Sequence, residues 1–241
     1  MHAATNDYWT GTITARSYPM FLPYRRSGEE FLAGAKPRIL ITIFSTLVNS
    51  GDPSWDPATR TLTLGHGYRE LADRFRLYAG GESRRVTDRT LDEFTRFEYP
   101  AHDLRRTRMV EQADLSPRRT EERWLRFTGE YVDMLTDRPH RYPLTTFMLA
   151  GGTVPAYDLV ALASLYGSEE RRLLIPIPVL KLLLSPGTDY TSRRTLMRKA
   201  VSAANLSQDR WRFVLNKTSV SIAPTGRYVP LSPVMLDLRS I

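Results

Sequence analysis

Apolar residues in the first half of the chain mark a series of helices and short strands. Residues 35–50 (AKPRILITIFSTLVNS) predict a buried helix, which ends in the turn-rich segment 51–60. Residues 61–65 (TLTLG) alternate between polar and apolar side chains and predict a short strand. Amphipathic helices are predicted over 67–78 and 84–99, with AGGES as the loop between them. The second of these helices should direct four apolar side chains inward, namely Val86, Leu91, Phe94 and Phe97.

The next two apolar segments predict a β-hairpin. Residues 108–115 (RMVEQADL) and 122–135 (ERWLRFTGEYVDML) are separated by the polar, proline-containing SPRRTE. The second segment is expected to turn helical near Gly129. The first half therefore has the order helix, short strand, helix, basic helix, hairpin.

The second half of the chain repeats this order. A helix is predicted over 154–167, followed by a short extended segment and a helix within 173–184 (LLIPIPVLKLLL). Residues 191–205 (TSRRTLMRKAVSAAN) predict a basic helix, and 211–224 predict two strands joined tightly at Asn216-Lys217. The boundary between the halves is expected within 136–145.

This element order is typical of a winged helix, whose third helix enters the DNA major groove while its hairpin lies against the phosphates. We therefore predict an α+β fold, mainly helical, with two winged-helix domains in tandem. The predicted domains are 35–136 and 137–241, the second including a C-terminal tail, and residues 1–34 are predicted to form an N-terminal arm.

The charge of the chain indicates an anionic partner. The 241 residues include 34 lysines and arginines, nearly all of them arginine, and the net charge is +8. A GC-rich genome would explain the ratio of arginine to lysine but not the excess of positive charge. Arginine presents a planar fork that matches phosphate oxygens and guanine edges, so double-stranded DNA is the expected partner.

The candidate DNA contacts lie on the two basic helices and the second hairpin. They are Arg84, Arg85, Thr87, Arg89 and Thr90 on the first helix, Thr191, Ser192, Arg193, Arg194, Arg198 and Lys199 on the second, and Arg212 and Lys217 on the hairpin. Arg193 and Arg194 are expected to read bases or hold phosphates, whereas Arg85 and Arg89 should mainly add affinity. A merely solvated charged face is the alternative for each helix.

Motifs for common enzyme and metal chemistries are missing from the sequence. There is no cysteine, no P-loop motif and no G-x-S-x-G motif, and the four histidines are far apart. We therefore expect no enzymatic activity, no metal and no cofactor. The N-terminus lacks an apolar signal segment and the apolar runs are too short to cross a bilayer, which predicts a cytoplasmic protein with no membrane partner.

Two long stretches carry a family resemblance. GAKPRILITIFSTLVNS and TLTLGHGYRELADRFRLYAGGESRRVTDRTLDEF resemble plasmid replication initiators of the Rep class, which are built from tandem winged-helix domains. TGEYVDMLTDRPHRYPL and VPAYDLVALASLYG are similar to the linker and the opening helix of the second domain in that family, and the resemblance covers about residues 30–224.

The resemblance implies an origin-binding initiator. Such a protein binds repeated sites at a plasmid origin, recruits the host initiator and helicase, and forms a homodimer when it represses its own promoter. The residues themselves leave two other functions open. These are a transcriptional regulator with the same DNA-binding module, and an architectural or damage-response protein that binds DNA without sequence preference.

Overall fold

The computed structural model describes residues 10–14, 34–66, 70, 81–100, 106–116, 122–143, 154–184, 190–226 and 234–235. Among these residues, those up to Arg141 belong to one compact unit and those from Tyr142 to a second. The change from one unit to the other thus lies within the 136–145 segment.

The first unit contains three of the described helices and most of the described strands. In chain order they are β1 (Thr10–Ile13), α1 (Ala35–Asn49), β2 (Trp55–Asp56), β3 (Thr61–Gly65), α2 (Gly81–Phe94), β4 (Glu98–Pro100), β5 (Arg106–Arg108), β6 (Val110–Asp114), β7 (Arg123–Phe127) and α3 (Gly129–Thr136). Strand β8 (His140–Pro143) follows where the chain passes into the second unit and pairs with β1.

The second unit repeats the arrangement with fewer elements. They are α4 (Val154–Tyr166), β9 (Leu173–Pro176), α5 (Ile177–Leu184), α6 (Tyr190–Ser207), β10 (Trp211–Leu215), β11 (Ser219–Pro224) and β12 (Val234–Met235).

Each unit contains a four-stranded sheet with the same central pairing. The strand order is β2-β3-β7-β6 in the first unit and β10-β11-β9-β12 in the second. In the first sheet, β3 pairs antiparallel with β7, and β7 pairs antiparallel with β6, its partner in the hairpin. In the second sheet, β9 pairs antiparallel with β11, and β11 pairs antiparallel with β10, its partner in the hairpin. The repeat seen in the order of the elements therefore extends to their pairing.

Aromatic packing places α2 and the hairpin of the first unit around α1. The Phe44 ring centroid lies 5.5 Å from that of Phe94 on α2 and 5.4 Å from that of Phe127 on β7. Edge and tilted contacts at these distances are favourable beyond the area that they bury. Thr128 is the N-cap of helix α3, and its hydroxyl accepts the N–H of Tyr131 at 3.2 Å.

Helices α4 and α6 pack against each other in the second unit. Helix α4 is buried along most of its length. Helix α6 buries Ala200 and Ala204 completely, whereas other positions along it are exposed.

Most of the predicted elements are confirmed. The α+β class, the helices beginning at residues 35 and 154, strand β3, the β6–β7 hairpin and the helix after Thr128 occur as predicted. The described residues do not support a mainly helical chain, because each unit contains a four-stranded sheet. The predicted helix 67–78, apart from Glu70, lies outside the described residues.

Helix α2 differs from its prediction at both ends and on its apolar face. Gly81, which was predicted to lie in a loop, begins the helix, and Phe94 ends it, so Phe97 is not helical. Leu91 and Phe94 are buried, but Val86 is 41% exposed. Contact with α1 determines which side of α2 is buried. The spacing of apolar residues within this short segment did not predict that side.

The segment predicted as an N-terminal arm contains strand β1, which sequence reasoning did not predict. Strand β1 packs on α1, and Ile13 is buried. The hydroxyl of Thr14 donates a hydrogen bond to the carbonyl of Met134 in α3. A strand of four residues (TGTI) with a single large apolar side chain gives too short a pattern to be recognised.

Candidate nucleic-acid interface

Helix α6 has one buried and one exposed face. The residues facing the core recur every three or four positions and are Met197, Ala200, Val201, Ala204 and Ser207. The exposed residues of the opposite face include Thr195, Arg198, Lys199 and Ser202. Because helical neighbours three and four positions apart share a face, Arg198 and Lys199 lie in one continuous exposed stripe.

Four exposed cations on α6 and the β10–β11 hairpin have no carboxylate partner among the described residues. Within the part of the chain that the structure describes, Arg198, Lys199, Arg212 and Lys217 form no ion pair and no side-chain hydrogen bond. We call these four side chains the α6–hairpin cations. They can meet an anionic ligand without first breaking an internal contact.

Two other arginines of this unit are engaged within the chain. Arg194 is half-buried and has an interaction partner. Arg210 pairs with Glu169 at 3.0 Å, and its guanidinium lies 5.1 Å from the centroid of the Trp211 ring. A role for Arg194 in reading bases remains a prediction.

The β10–β11 hairpin presents its own exposed face. Trp211 and Phe213 are buried, while Arg212 and Val214 between them are exposed. The N–H of Asn216 donates to the carbonyl of Ser219 at 2.8 Å, so Lys217 and Thr218 form the turn. The turn is therefore one residue further along than the predicted Asn216-Lys217, and Lys217 lies at its tip.

Two carboxamide side chains at the end of α6 bind the backbone of β10. Asn205 donates to the carbonyl of Phe213 and accepts its N–H, both at 2.9 Å. Gln208, just after the helix, donates to the carbonyl of Trp211 and accepts its N–H at 2.6 Å. Sequence reasoning missed both residues, because Asn and Gln at a helix end look like solvated surface until the strand beside them is known.

In the first unit, the structure contradicts two predicted contacts on α2. Thr87 and Thr90 are 1% and 4% exposed, so their side chains face the core and not a DNA groove. The Thr90 hydroxyl donates to the carbonyl of Val86 at 2.7 Å, which satisfies its polar group inside the helix. A threonine can be buried in this way at little cost, and its residue type alone does not show which face it occupies.

Four arginines of the first unit have carboxylate partners. The exposed Arg89 pairs with the buried Glu93 at 3.1 Å. The other arginine pairs are Arg60 with Glu111 at 3.1 Å, Arg96 with Asp92, and Arg123 with Asp88 at 2.7 Å. Among the described residues, the exposed Arg85, Arg108, Arg138 and Arg141 form no ion pair, so this unit also has cations that an anionic ligand can reach.

The remaining candidates have backbones in the helices but side chains outside the described part of the structure. Arg84 lies in α2, and Thr191, Ser192 and Arg193 lie in the first turn of α6. Their proposed contacts with DNA stay predictions.

The described residues show no sign of an acid–base or metal centre. They contain no group of three metal-ligating side chains. Burial raises the pKa of Tyr166, and the Thr59 hydroxyl lowers the pKa of Asp56, so each change has a local structural cause. None of the described helices is long and apolar enough to cross a membrane.

Comparison with known proteins gives a structural match only. No family model matches the sequence, and no curated protein matches it. The fold is similar to the crystal structure of domains 2 and 3 of RctB, with a TM-score of 0.53 over 84% of this chain and 86% of that chain. The two sequences are 11% identical, so the similarity concerns the fold, and it extends over both units.

Proposed function

We propose that this protein binds double-stranded DNA in a sequence-specific manner through two winged-helix units and acts as a plasmid-type replication initiator. The observation that carries the proposal is the set of α6–hairpin cations. They are exposed on a helix and an adjoining hairpin and have no ion-pair partner among the described residues, in a chain with a net charge of +8.

The topology of each unit supports the winged-helix interpretation. An opening helix, a short strand, a basic helix and a two-stranded hairpin follow one another, and the short strand pairs with the second strand of the hairpin. In a winged helix the basic helix enters the major groove and the hairpin contacts the backbone. On this proposal, helix α6 and the β10–β11 hairpin have these roles in the second unit.

The chemistry of the exposed face fits a duplex. Arg198 can bind guanine or phosphate through its planar fork, whereas Lys199 and Lys217 are point charges suited to phosphates. Phosphate contacts would supply affinity and register, and side chains that reach base edges would supply specificity. No enzymatic step is needed for this role, and we propose none.

The replication role rests on two similarities. The sequence resembles plasmid initiators of the Rep class, and the fold resembles domains 2 and 3 of RctB across both units. On this proposal the protein acts in the cytoplasm, binds repeated origin sites, recruits the host initiator and helicase, and dimerises when it represses its own promoter.

The first test is a binding titration at two salt concentrations. The duplex flanking the protein's own gene is compared with a scrambled duplex of equal length. We expect tight binding to the flanking duplex that persists at the higher salt concentration. Equal and salt-sensitive binding to both duplexes would instead identify an architectural protein, and no binding to either would reject the proposal.

A pair of double variants locates the interface. R198A/K199A should lose specific binding because it removes two α6–hairpin cations. R171A/R172A removes the same amount of charge from exposed residues just before β9, and this variant should retain specific binding. The pairing of β9 with β11 puts Pro176 opposite Ser219, so Arg172 lies at the end of the sheet away from the hairpin turn. Equal losses in the two variants would exclude α6 as the reading helix.

A further inference from the structure

Strand β10 lies at the edge of the second sheet. On its free side, side chains at the end of α6 form the hydrogen bonds that a neighbouring strand would otherwise form. Residues 212, 214 and 216 direct their backbone groups toward β11, so those of Trp211 and Phe213 point outward. An exposed edge of this kind leaves N–H and C=O groups unpaired. Here Asn205 and Gln208 supply one donor and one acceptor each, as a peptide group would.

The two amides connect the two parts of the candidate DNA surface. Asn205 lies on the same helix as Arg198 and Lys199, and its partner Phe213 adjoins Arg212 on the hairpin. The four hydrogen bonds fix β10 against the end of α6. They therefore restrict the positions of Arg212 and Lys217 relative to Arg198 and Lys199.

We propose that Asn205 and Gln208 are positioning residues for DNA binding, which hold the hairpin in register with α6 so that both contact the same duplex. This inference rests on the proposed function. A hairpin already held in place loses less conformational freedom when it binds, and preorganisation of this kind raises affinity without adding a contact. The amides themselves touch the strand and not the DNA.

Asn205→Ala is the principal variant. Alanine favours a helix more than asparagine does, so a defect in this variant does not arise from weaker helix formation. The matched control is Leu206→Ala, which changes the next residue of the same helix. Leu206 is 82% exposed, so truncating its side chain removes little packing.

The decisive experiment is a double-mutant cycle between Asn205→Ala and Lys217→Ala, read as duplex affinity at several salt concentrations. In the otherwise unchanged protein, Lys217→Ala should lower the slope of log affinity against log salt by about 0.9, the value for one phosphate contact. In the Asn205→Ala background the same change should have little effect, because the hairpin has already lost its register. Leu206→Ala should leave the full effect of Lys217→Ala in place.

Amide hydrogen exchange gives a readout that needs no DNA. The N–H of Phe213 should exchange faster in Asn205→Ala than in the unchanged protein, and Leu206→Ala should not change it. If Asn205→Ala fails to fold, Gln208→Ala replaces it in the double-mutant cycle with Lys217→Ala. This variant removes only the hydrogen bonds to the backbone of Trp211. An unchanged Phe213 exchange rate in a folded Asn205→Ala protein would overturn the proposed role of the amide.

The outcomes separate this inference from the proposed function. If the unchanged protein binds duplex and the losses from Asn205→Ala and Lys217→Ala simply add, the positioning role is wrong and the DNA-binding role stands. If the unchanged protein binds no duplex, the proposed function fails and the positioning role fails with it.

Discussion

Gly167 follows α4 at a point where the ring of Trp211 leaves no space for a side chain. A Cβ at this position would lie 2.2 Å from the carbonyl oxygen of Ala163 and 2.8 Å from the Trp211 ring. The Ala163 carbonyl also accepts the N–H of Gly167 at 2.9 Å, so the backbone cannot withdraw without losing a hydrogen bond. The glycine therefore permits β10 to pack against the end of α4.

We predict that Gly167→Ala lowers the free energy of unfolding of the second unit by about 1–3 kcal/mol, the range for overpacking a filled site. The change in the free energy of unfolding is measured by urea denaturation, with tryptophan fluorescence as the signal. Gly51→Ala is the comparison, since Gly51 has a φ of +63° but open space around its Cβ position. It should cost only the strain of the left-handed conformation, about 1–2 kcal/mol. A stable Gly167→Ala protein would show that both the backbone near residue 167 and the Trp211 ring shift to admit the methyl group.

Tyr166, the last residue of α4, gives a prediction about pH. Its hydroxyl is buried and has no hydrogen-bond partner among the described residues, and burial raises its pKa. The unfolded chain then loses this proton first, at its ordinary pKa of about 10. The contribution of Tyr166 to stability is therefore complete below about pH 10 and declines as the pH rises toward the folded-state pKa.

Tyr166→Phe should thus unfold at an unchanged or slightly higher urea concentration at pH 7, because the hydroxyl that it removes has no described partner. Above about pH 10 the variant should lose less stability than the unchanged protein. Urea midpoints at both pH values make the comparison. Identical alkaline losses in the two proteins would contradict a raised pKa at this residue.

At the scale of elements, one ion pair attaches α2 to the sheet of the first unit. Arg123 on β7 donates to Asp88 on α2 at 2.7 Å, and the Arg123 side chain is only 7% exposed. Removing one partner of a buried pair leaves an uncompensated charge, which costs far more than the loss of an exposed pair. The pair therefore acts together with the contact on α1 to favour the rotation of α2 that buries Thr87 and Thr90.

We expect Asp88→Asn to lower the free energy of unfolding by about 2–3 kcal/mol, somewhat below the value for a fully buried pair because Asp88 is partly exposed. Asp92→Asn is the matched control on the same helix. Its partner Arg96 is exposed, as is Asp92 itself, and the expected cost is below about 1 kcal/mol. Urea midpoints of both variants test this, and equal costs would mean that Asp88 is not what orients α2.

Element order could be predicted from this sequence, whereas contacts between elements could not. Helix α6 and its hairpin were predictable because apolar residues recur at helical spacing and then alternate. The pairing of Asn205 with Phe213 depends on how the helix and the strand meet, and no local pattern encodes that. The buried faces of Thr87 and Thr90 were missed for the same reason, since threonine is common on both faces of a helix.

At the scale of the whole molecule, the described cations differ in whether a carboxylate already occupies them. Four arginines of the first unit have a carboxylate partner, whereas the α6–hairpin cations have none among the described residues. A cation that is already paired must exchange a carboxylate for a phosphate, and so it gains less on binding. The four paired arginines should therefore contribute less to counterion release on DNA binding than the α6–hairpin cations.

Two triple variants of equal net charge test this asymmetry. R198A/K199A/R212A removes unpaired cations from the second unit, and R60A/R89A/R96A removes three paired ones from the first. We expect the first variant to lower the salt slope of duplex binding by about two to three, at roughly 0.9 per contact, and the second to lower it by less than about one. Because both variants lose three positive charges, a difference in slope cannot arise from net charge alone. Equal slopes would mean that the paired arginines contact phosphates as much as the unpaired cations do, and that their ion pairs open readily on DNA.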